Sequence, residues 1–372
     1  MGHLAIVNNQ TIQQINNNNP YISIGGRLNS YPYKTISDLF ADALLVREGD
    51  IIFTWMVDSE LSTGQGFDRY YIANGDIVFD SSSDYPIKIG IKEGYKFNKA
   101  LAEEQALDLF GERLLWNAIG KKSLGRGRSL SHQTIDEDEY LMDLLKGINP
   151  VGPQRILSAA SSGNNQYLPI SIKTFSSCNS NQANLRDIKS LKLNSTIWND
   201  GDIFLYEKTL EAYLCENIDK PILNSQGQQT DLLTLLGYAG YRVRWAGNYL
   251  PYGVAGKNID LVCEITNTID VKVLVIELKV DTQSYRNYSD IANFQLSDYV
   301  SFIKKAFESY RGAGVVVEPV VITHMPRQRS RIQNIKQQPL VNSAKWIGYN
   351  ITQTVSPDPA AENYQVIFER LL

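Results

Sequence analysis

The stretch from residue 203 to residue 323 alternates helical segments with short apolar runs, and this pattern limits the possible folds more than any other feature of the chain. Helices are predicted at about 204–217 and at Asp290–Tyr310. Strands are predicted at Tyr241–Trp245, Asn258–Ile265, Val271–Val280 and Val315–Thr323, with Pro319 indicating an edge strand or an irregularity in the last of them. Because such an alternation forms a sheet flanked by helices, residues 201–372 are predicted to form an α/β domain.

Residues 1–150 are predicted to form a separate, β-rich α+β domain. Asn74-Gly75 lies between two strand-like runs and predicts a two-residue hairpin. The other predicted elements are strands at Ile51–Val57 and Ile87–Ile91 and helices at about 98–118 and 136–147. The acidic run Asp136–Glu139 begins the second helix, where the helix dipole favours acids, and it therefore indicates a helix start rather than a metal site.

Two polar segments interrupt this organisation. Residues 1–30 are rich in asparagine and are predicted to be a poorly ordered arm or an edge element. Residues 151–200 contain Pro153 and many serines and asparagines without a sustained apolar period. They are therefore predicted to be a linker region with one short strand near Tyr167–Lys173.

The composition excludes several classes of protein. The 372 residues are 43% hydrophobic and 20% charged, which suits a sizeable core and excludes a coiled coil, a collagen-like chain and a wholly disordered protein. Charged residues interrupt the longest apolar runs, which fall short of the roughly 20 residues of a membrane-spanning helix. The N-terminus lacks a signal-peptide pattern, so a cytoplasmic protein with no membrane partner is expected. With 3 cysteines, 3 histidines and no Cys-x-x-Cys pair, a structural zinc site is not expected.

The charge distribution leaves a nucleic-acid partner to be inferred from local clusters. Residues 1–150 carry 14 basic and 20 acidic side chains, and residues 151–372 carry 22 and 20. No basic field therefore covers the chain. Two short basic stretches are candidates for contact with DNA phosphates, one with Lys121, Lys122, Arg126 and Arg128 and the other with Arg327, Arg329 and Arg331.

Asp260, Glu277 and Lys279 are charged residues within otherwise apolar predicted strands. A short turn at 266–270 would make the two strands neighbours, and the two-residue period of a strand puts Glu277 and Lys279 on the same face. Two carboxylates at one end of a sheet repel each other unless a divalent cation lies between them, and oxygen ligands suit Mg²⁺ or Mn²⁺. Alternatively, Glu277 and Lys279 form a cross-strand ion pair and Asp260 caps a turn, and spacing alone leaves both interpretations open.

Asp260, followed by Glu277-Leu278-Lys279 at the end of an apolar strand, resembles the core of the PD-(D/E)XK nuclease superfamily. Two further pieces resemble its NucS-type branch, whose members cut mismatched or branched DNA. They are the helical segment Leu210–Asn217, which contains Glu211, and the segment Gln295–Tyr299. The end residues of that second segment are spaced i and i+4 and project from one face of a helix. The resemblance covers about residues 205–310.

The resemblance implies a restriction-endonuclease-like fold and a hydrolytic site that leaves a 5′-phosphate. It implies that Asp260, Glu277 and the carbonyl of Leu278 bind Mg²⁺, for which Mn²⁺ could substitute, and that Lys279 positions the attacking water. Glu211 would complete the metal site or its surroundings, with Glu207, one turn earlier, as an alternative that is expected to be exposed. The implied catalytic set comprises Glu211, Asp260, Glu277, Lys279, Gln295 and Tyr299.

The N-terminal domain resembles the EVE/PUA-like group. The resemblance lies in Gly49–Phe53, the Asn74-Gly75 hairpin, Tyr85–Ile89 and the segment Gly125–Glu139. Domains of this group often hold a flipped, frequently modified base or an RNA nucleotide between aromatic rings. The candidate aromatic residues are Trp55, Tyr70, Tyr71 and Trp116. Each of these rings is also typical of an ordinary hydrophobic core.

These features lead to three hypotheses. The first is a Mg²⁺-dependent DNA endonuclease of restriction or defence, whose N-terminal domain recognises a base or a modification. The second is a NucS-like repair endonuclease for mismatched or branched DNA. The third is a nucleic-acid-binding protein with an inactive nuclease-like fold. A homodimer is compatible with the first, because cutting both strands of a duplex usually requires two active sites.

Overall fold

A computed structural model describes residues 1–24, 41–56, 66–80, 85, 87–102, 105, 130–159, 168–169, 199–200, 203–204, 207–252, 257–279, 295–312, 314–325, 343–354 and 363–371. These residues form two compact units, the first from Met1 to Pro169 and the second from Asn199 to Leu371. The fold is mixed α/β and rich in strands, with one eight-stranded sheet in each unit.

The first unit is built on a mixed sheet. Its strands are β1 (Gly2–Val7), β2 (Tyr21–Ile24), β3 (Ile51–Met56), β4 (Gly66–Phe79), β5 (Ile87–Ala102), β6 (Leu130–Gln133), β7 (Gln154–Ser158) and β8 (Leu168–Pro169). The main path across the sheet is β2-β5-β4-β3-β1-β6, with β7 paired to β5 and β8 paired to β4. β1 and β3 are parallel, and the other pairs are antiparallel.

The helices α1 (Asn9–Gln14) and α2 (Ile135–Ile148) accompany this sheet, and α2 confirms the helix predicted at 136–147. α2 begins with a capping box, in which the Thr134 side chain accepts from the backbone N–H of Glu137 and the Glu137 side chain accepts from that of Thr134. The capped helix packs onto a core formed by Leu4, Phe53, Trp55, Phe67, Phe97, Leu101, Leu141 and Leu145.

The first strand lies inside the sheet, which differs from the arm or edge element predicted for residues 1–30. β1 is paired on one side with β3 and on the other with β6, and His3, Leu4 and Ala5 are fully buried. A strand buried on both faces shows no alternation of polar and apolar residues, so its sequence carried no period-two signal. β2, in contrast, lies at the edge of the main path across the sheet.

Asn74-Gly75 is not a hairpin turn, because both sides of it belong to β4. Ala73 pairs with Ile91 of β5 and Ile77 pairs with Ile89, so the residues between them bulge out of the ladder. Gly75 has a φ of 88°, and the Asn74 side chain accepts from the backbone N–H of Asp76 at 2.9 Å. The conformational properties that favour a tight turn therefore also allow a bulge.

Two other predicted segments differ from the structure. β5 continues to Ala102, so the first residues of the helix predicted at 98–118 are strand, while residues 106–118 lie outside the described part. Residues 154–158, predicted as part of a linker, form β7, which pairs antiparallel with β5. β8, in contrast, agrees with the short strand predicted near 167–173.

The second unit contains the other eight-stranded sheet and a separate two-stranded one. Its strands are β9 (Asn199–Asp200), β10 (Ile203–Phe204), β11 (Ile222–Asn224), β12 (Gln229–Thr230), β13 (Arg242–Tyr252), β14 (Lys257–Thr266), β15 (Val271–Lys279), β16 (Val316–His324), β17 (Lys345–Thr354) and β18 (Asn363–Arg370). β9 pairs with β10, and the large sheet has the order β12-β11-β18-β17-β16-β15-β14-β13. The four predicted strands of this domain correspond to β13–β16.

The second unit contains the helices α3 (Glu207–Asn217), α4 (Leu232–Leu235) and α5 (Leu296–Arg311). Arg311 of α5 is ion-paired with Glu264 of β14 at 2.8 Å, so α5 covers the face to which Glu264 and the alternate residues of β14 project. Glu211 of α3 contacts Asn248, which pairs with Leu261 of β14, so α3 covers the opposite face. We call these the α5 face and the α3 face.

Pro319 lies in an interior strand rather than at an edge. β16 is parallel to both β15 and β17, but its pairing with β17 begins only at Val320. Because Pro319 precedes that pairing, its missing N–H removes no bond to β17. Among the described helices, none is long and apolar enough to cross a membrane.

Candidate active site

The two acids singled out in the sequence meet where β14 and β15 run side by side. The pairing of Leu261 with Ile276, continued by one residue, places Asp260 opposite Glu277. Opposite residues of an antiparallel pair project to the same side, so both carboxylates belong to the α5 face. The backbone N–H of Leu278 donates to Asp260 Oδ2 at 2.9 Å, which holds the Asp260 side chain against the neighbouring strand.

The ammonium group of Lys279 is surrounded by oxygen atoms. Its Nζ lies 2.7 Å from Glu277 Oε1, 2.8 Å from the carbonyl oxygen of Leu278 and 3.2 Å from Glu207 Oε2. An ammonium group has three N–H donors, so these contacts can engage all of them. At the end of β15, the positive charge of Lys279 therefore offsets the negative charge of the neighbouring Glu277 and Glu207 carboxylates.

The electrostatics of this cluster follow from burial and from its two facing acids. Glu277 is only 3% exposed, and burial together with the charge of Asp260 raises its pKa to about 8, against the opposing effect of Lys279. Burial lowers the pKa of Lys279, but the charges of Glu277, Asp260 and Glu207 outweigh it and raise that pKa. Lys279 is therefore an ammonium ion near neutral pH and can orient a polar group or stabilise negative charge, but cannot act as a general base.

The two glutamates of α3 occupy different environments. Glu207, the first residue of the helix, contacts Lys279, and its side chain is 37% exposed. Glu211 is 1% exposed and accepts a hydrogen bond from Asn248 Nδ2 at 2.8 Å, on the α3 face of the sheet. The structure thus places Glu207 beside the Lys279 ammonium, whereas Glu211 contacts a residue of the opposite face from Asp260 and Glu277.

Tyr299 and Gln295 lie at the start of α5. The Tyr299 hydroxyl donates to the carbonyl oxygen of Asn258 at 3.3 Å, two residues before Asp260, and the side chain is 5% exposed. Gln295 is the exposed N-cap residue and makes no capping hydrogen bond with its side chain. Tyr299 therefore connects α5 to the strand that carries Asp260.

The donor set suits a hard divalent cation. It consists of the carboxylates of Asp260 and Glu277 and the carbonyl of Leu278, all oxygen donors. Mg²⁺ is commonly bound by one or two carboxylates, with waters and substrate phosphates as its other ligands. The described residues contain no group of three or more His, Cys, Asp and Glu side chains that could hold a metal ion. A cation shared by Asp260 and Glu277 would reduce the repulsion that contributes to the raised pKa of Glu277.

The described aromatic residues of the predicted base pocket are divided between two faces of the sheet, with Trp55 and Tyr70 at one core and Tyr71 on the other face. Trp55 is 1% exposed, lies in the core and meets Phe67 edge to face at 4.7 Å between ring centroids. Tyr70 packs against the same core from its rim and stacks on Tyr95, with 5.0 Å between ring centroids. Tyr71 is 2% exposed and projects to the other face, because successive residues of a strand alternate. Trp116 lies outside the described residues.

Both predicted basic stretches lie outside the described residues. This applies to Lys121, Lys122, Arg126 and Arg128, and to Arg327, Arg329 and Arg331. Their contact with DNA phosphates stays a prediction.

The first unit contains a buried polar cluster that its sequence pattern did not indicate. The Nδ1 atoms of His3 and His132 are 2.8 Å apart, His3 Nε2 lies 2.8 Å from Asp50 Oδ2, and His132 Nε2 lies 3.6 Å from Asp42 Oδ1. Burial raises the pKa of Asp50, but the hydrogen bonds and charges of His3 and of the Met1 ammonium group outweigh it and lower that pKa to about 2. The two histidines are far apart in the chain, and only the pairing of β1 with β6 brings them together.

Comparisons with protein-family models, with curated proteins and with solved structures find no match to this chain.

Proposed function

We propose that the second unit is a Mg²⁺-dependent phosphodiesterase of the PD-(D/E)XK type that cuts DNA. The observation that carries this proposal is the convergence of Asp260, Glu277 and Lys279 at the adjoining ends of β14 and β15. The order of these residues in the chain, the strands that hold them and the preceding and following helices agree with the resemblance in the sequence.

Asp260, Glu277 and the carbonyl of Leu278 would hold the metal ion. When bound, the ion would neutralise phosphate charge and lower the pKa of a coordinated water. Lys279, as an ammonium ion, would orient that water or a phosphate oxygen through an N–H donor released from one of its three present contacts. Glu207, which contacts Lys279, is the better candidate to position this lysine, whereas Glu211 with Asn248 would support the sheet from its other face.

Cleavage assays with purified protein test the proposal. Labelled duplexes that are unmodified, methylated, mismatched or flapped are incubated with Mg²⁺ or Mn²⁺, and the product ends are analysed for a 5′-phosphate. Cutting of methylated or unmodified duplexes favours restriction or defence, and cutting confined to mismatched or branched DNA favours repair.

Variants of the site give the decisive comparison. We expect Asp260→Ala and Lys279→Ala each to reduce the cleavage rate by about a hundredfold or more. Lys272→Ala, which changes a lysine at the opposite end of the same strand, is expected to leave the rate nearly unchanged. Cleavage that survives both site substitutions would place the activity elsewhere.

A second candidate is a nucleic-acid-binding unit without hydrolytic activity. The contacts of Lys279 with Glu277, Glu207 and the Leu278 carbonyl favour it, because they form an ion-pair network that requires no metal. Binding of the same DNA panel without metal, together with no turnover of any substrate, would support this candidate.

For the first unit we propose a role in recognising the nucleic acid, on the EVE/PUA-like pattern of its sequence. Tyr70 and Tyr95 support it, since stacked, partly exposed rings can receive a base. Tyr95→Ala is expected to weaken DNA binding by the full chain, whereas Tyr140→Ala, which alters a tyrosine of α2, should not. The two variants are compared by fluorescence anisotropy.

A further inference from the structure

The buried polar cluster of the first unit is centred on two histidine rings in contact. His3 and His132 lie directly opposite each other in the antiparallel pair of β1 and β6, so their rings project to the same face of the sheet. Their Nδ1 atoms are 2.8 Å apart, and the rings meet nearly at right angles. The side chains are 0% and 2% exposed, so the contact between the rings is shielded from solvent.

The outer nitrogen of each ring faces a carboxylate. His3 Nε2 lies 2.8 Å from Asp50 Oδ2, and His132 Nε2 lies 3.6 Å from Asp42 Oδ1. Asp50, with a pKa of about 2, is ionised at neutral pH, and an ionised carboxylate accepts hydrogen bonds but donates none. Each carboxylate therefore favours the form of its histidine that carries a proton on Nε2.

A contact of 2.8 Å between two ring nitrogens accommodates one hydrogen atom. Two lone pairs at this distance repel each other, and two N–H groups do not both fit between the nitrogens. With a proton on each Nε2 and one between the Nδ1 atoms, the two rings carry three protons in all. Two neutral histidines carry only two, so the pair is an imidazole and an imidazolium that share a single positive charge between two carboxylates.

The described charged groups near this pair come from β1, from the segment before β3 and from α2. The Met1 ammonium group lies 2.6 Å from Asp50 Oδ1, and the backbone N–H of Arg47 donates to Asp50 Oδ2 at 2.7 Å. Asp42 is fully buried, and Asp138 of α2 experiences the charges of the Met1 ammonium group and of Asp50. Asp50 is thus held by donors other than His3 and stays in place when the protonation of the histidine pair changes.

We propose that His3 and His132 form a pH-sensitive latch, in which one shared proton holds β6 against β1. Among the described strands, β6 lies at the end of the main path across its sheet, and Thr134, which follows it, is the N-cap of α2. In acid, a further proton puts an N–H on both Nδ1 atoms and separates the rings. In alkali, loss of the shared proton leaves two lone pairs facing each other. The latch therefore holds β6 over a limited pH range.

Hydrogen–deuterium exchange of the full-length, DNA-free protein tests this proposal through the protection factors of amides in residues 2–7 and 130–133. Two separated rings bind two protons below the usual histidine pKa of about 6.5 and none above it, whereas the closed latch binds one. Protection should therefore be highest near pH 6.5 and fall about tenfold toward pH 5 and about tenfold toward pH 8. Protection that does not depend on pH, or that falls on one side only, would overturn the proposal.

His132→Asn distinguishes the shared proton from ordinary packing, because the asparagine amide brings its own N–H to His3 Nδ1. In this variant the loss of protection between pH 6.5 and pH 8 should disappear. His324→Gln, which changes a histidine of the second unit, is the control and should retain the loss on both sides. An alkaline loss that persists in His132→Asn would contradict the latch.

NMR of the imidazole nitrogens gives a direct measurement on the wild type and requires no variant. Long-range ¹H–¹⁵N spectra report which ring nitrogens carry protons. At pH 6.5 we expect a proton on both Nε2 atoms and one positive charge divided between His3 and His132. Two neutral rings or two fully charged rings in the folded protein at this pH would overturn the proposal.

Discussion

Lys279 Nζ lies 3.2 Å from Glu207 Oε2, and this contact connects the first residue of α3 to the last residue of β15. The sequence resemblance favoured Glu211, one turn later in the same helix. Because an α-helix rises about 5.4 Å per turn, the two glutamates reach different parts of the sheet. Glu207 reaches the strand end with Lys279, and Glu211 reaches Asn248 on the α3 face.

These two glutamates are predicted to contribute differently to stability. Glu211→Ala removes the acceptor of a buried hydrogen bond and should lower the free energy of unfolding by about 1–3 kcal/mol. Glu207→Ala breaks a partly exposed ion pair and should lower it by less than about 1 kcal/mol. Urea denaturation of both variants measures the difference. Equal losses would contradict the environments described for the two side chains.

The pH dependence of stability is predicted to reveal the buried Glu277. Its pKa is raised from 4.5 to about 8, so between these values the folded state keeps a proton that the unfolded state has released. Stability should therefore fall as the pH rises through this window and level off above pH 8, by an amount on the order of a few kcal/mol.

Glu277→Gln isolates this effect, because it removes the titrating group and keeps an oxygen that can accept from Lys279. We expect the stability of the wild type to fall relative to the variant as the pH rises from 5 to about 8. Lys279 is protonated in both folded and unfolded states throughout that range and does not change the comparison. A difference that stays constant with pH would show that Glu277 titrates normally.

The positions of Asp260, Glu277 and Lys279 could be predicted because they depend on hydropathy patterns within a short segment of the chain. The apolar runs around Asp260 and Glu277 indicated strands, and the short polar turn between them predicted their antiparallel pairing. Once two strands pair, the two-residue period decides which side chains share a face, so the placement of Asp260, Glu277 and Lys279 on one face followed from spacing.

The unpredicted parts depend on pairing between segments that are distant in the chain. Asn74-Gly75 has the same local chemistry in a turn and in a bulge, and only the continuous pairing of β4 with β5 decides between them. The contact between His3 and His132 exists because β1 enters the interior of the sheet, which its short sequence did not indicate. Tyr70 and Tyr71, adjacent in sequence, were assigned to one pocket although alternation separates them.

Metal binding at the candidate site is predicted to depend on pH. A carboxylate binds a metal ion in its ionised form, and the pKa of Glu277 is about 8. The increase in melting temperature caused by Mg²⁺ or Mn²⁺ should therefore grow between pH 6 and pH 8, reaching a few degrees at saturating metal. Differential scanning fluorimetry measures it, and Asp260→Asn should abolish it, whereas Asp270→Asn, in the turn after β14, should not.

Asp50 is predicted to contribute to stability in a different pH range. Its pKa is lowered from 3.8 to about 2, so its stabilising effect is complete above pH 4 and is lost as the pH falls toward 2. Asp50→Asn should lower the free energy of unfolding at neutral pH by about 2 kcal/mol and remove this acid dependence. Asp76→Asn, an exposed change in the same unit, should do neither. Acid titrations followed by circular dichroism compare the three proteins.

Glu264 is predicted to be the main electrostatic connection between α5 and the sheet. It is fully buried, and its carboxylate lies 2.7 Å from Arg244 of β13 and 2.8 Å from Arg311 of α5. Glu264→Gln would leave two guanidinium groups without the negative charge they share and should lower the free energy of unfolding by about 2–3 kcal/mol.

Glu308→Gln is the control, because it breaks the helical pair with Lys304 at 3.8 Å and should lower the free energy of unfolding by about 0.5 kcal/mol or less. Because α5 also carries Tyr299, which contacts the strand of Asp260, the Glu264 variant should reduce DNA cleavage under conditions in which the Glu308 variant does not.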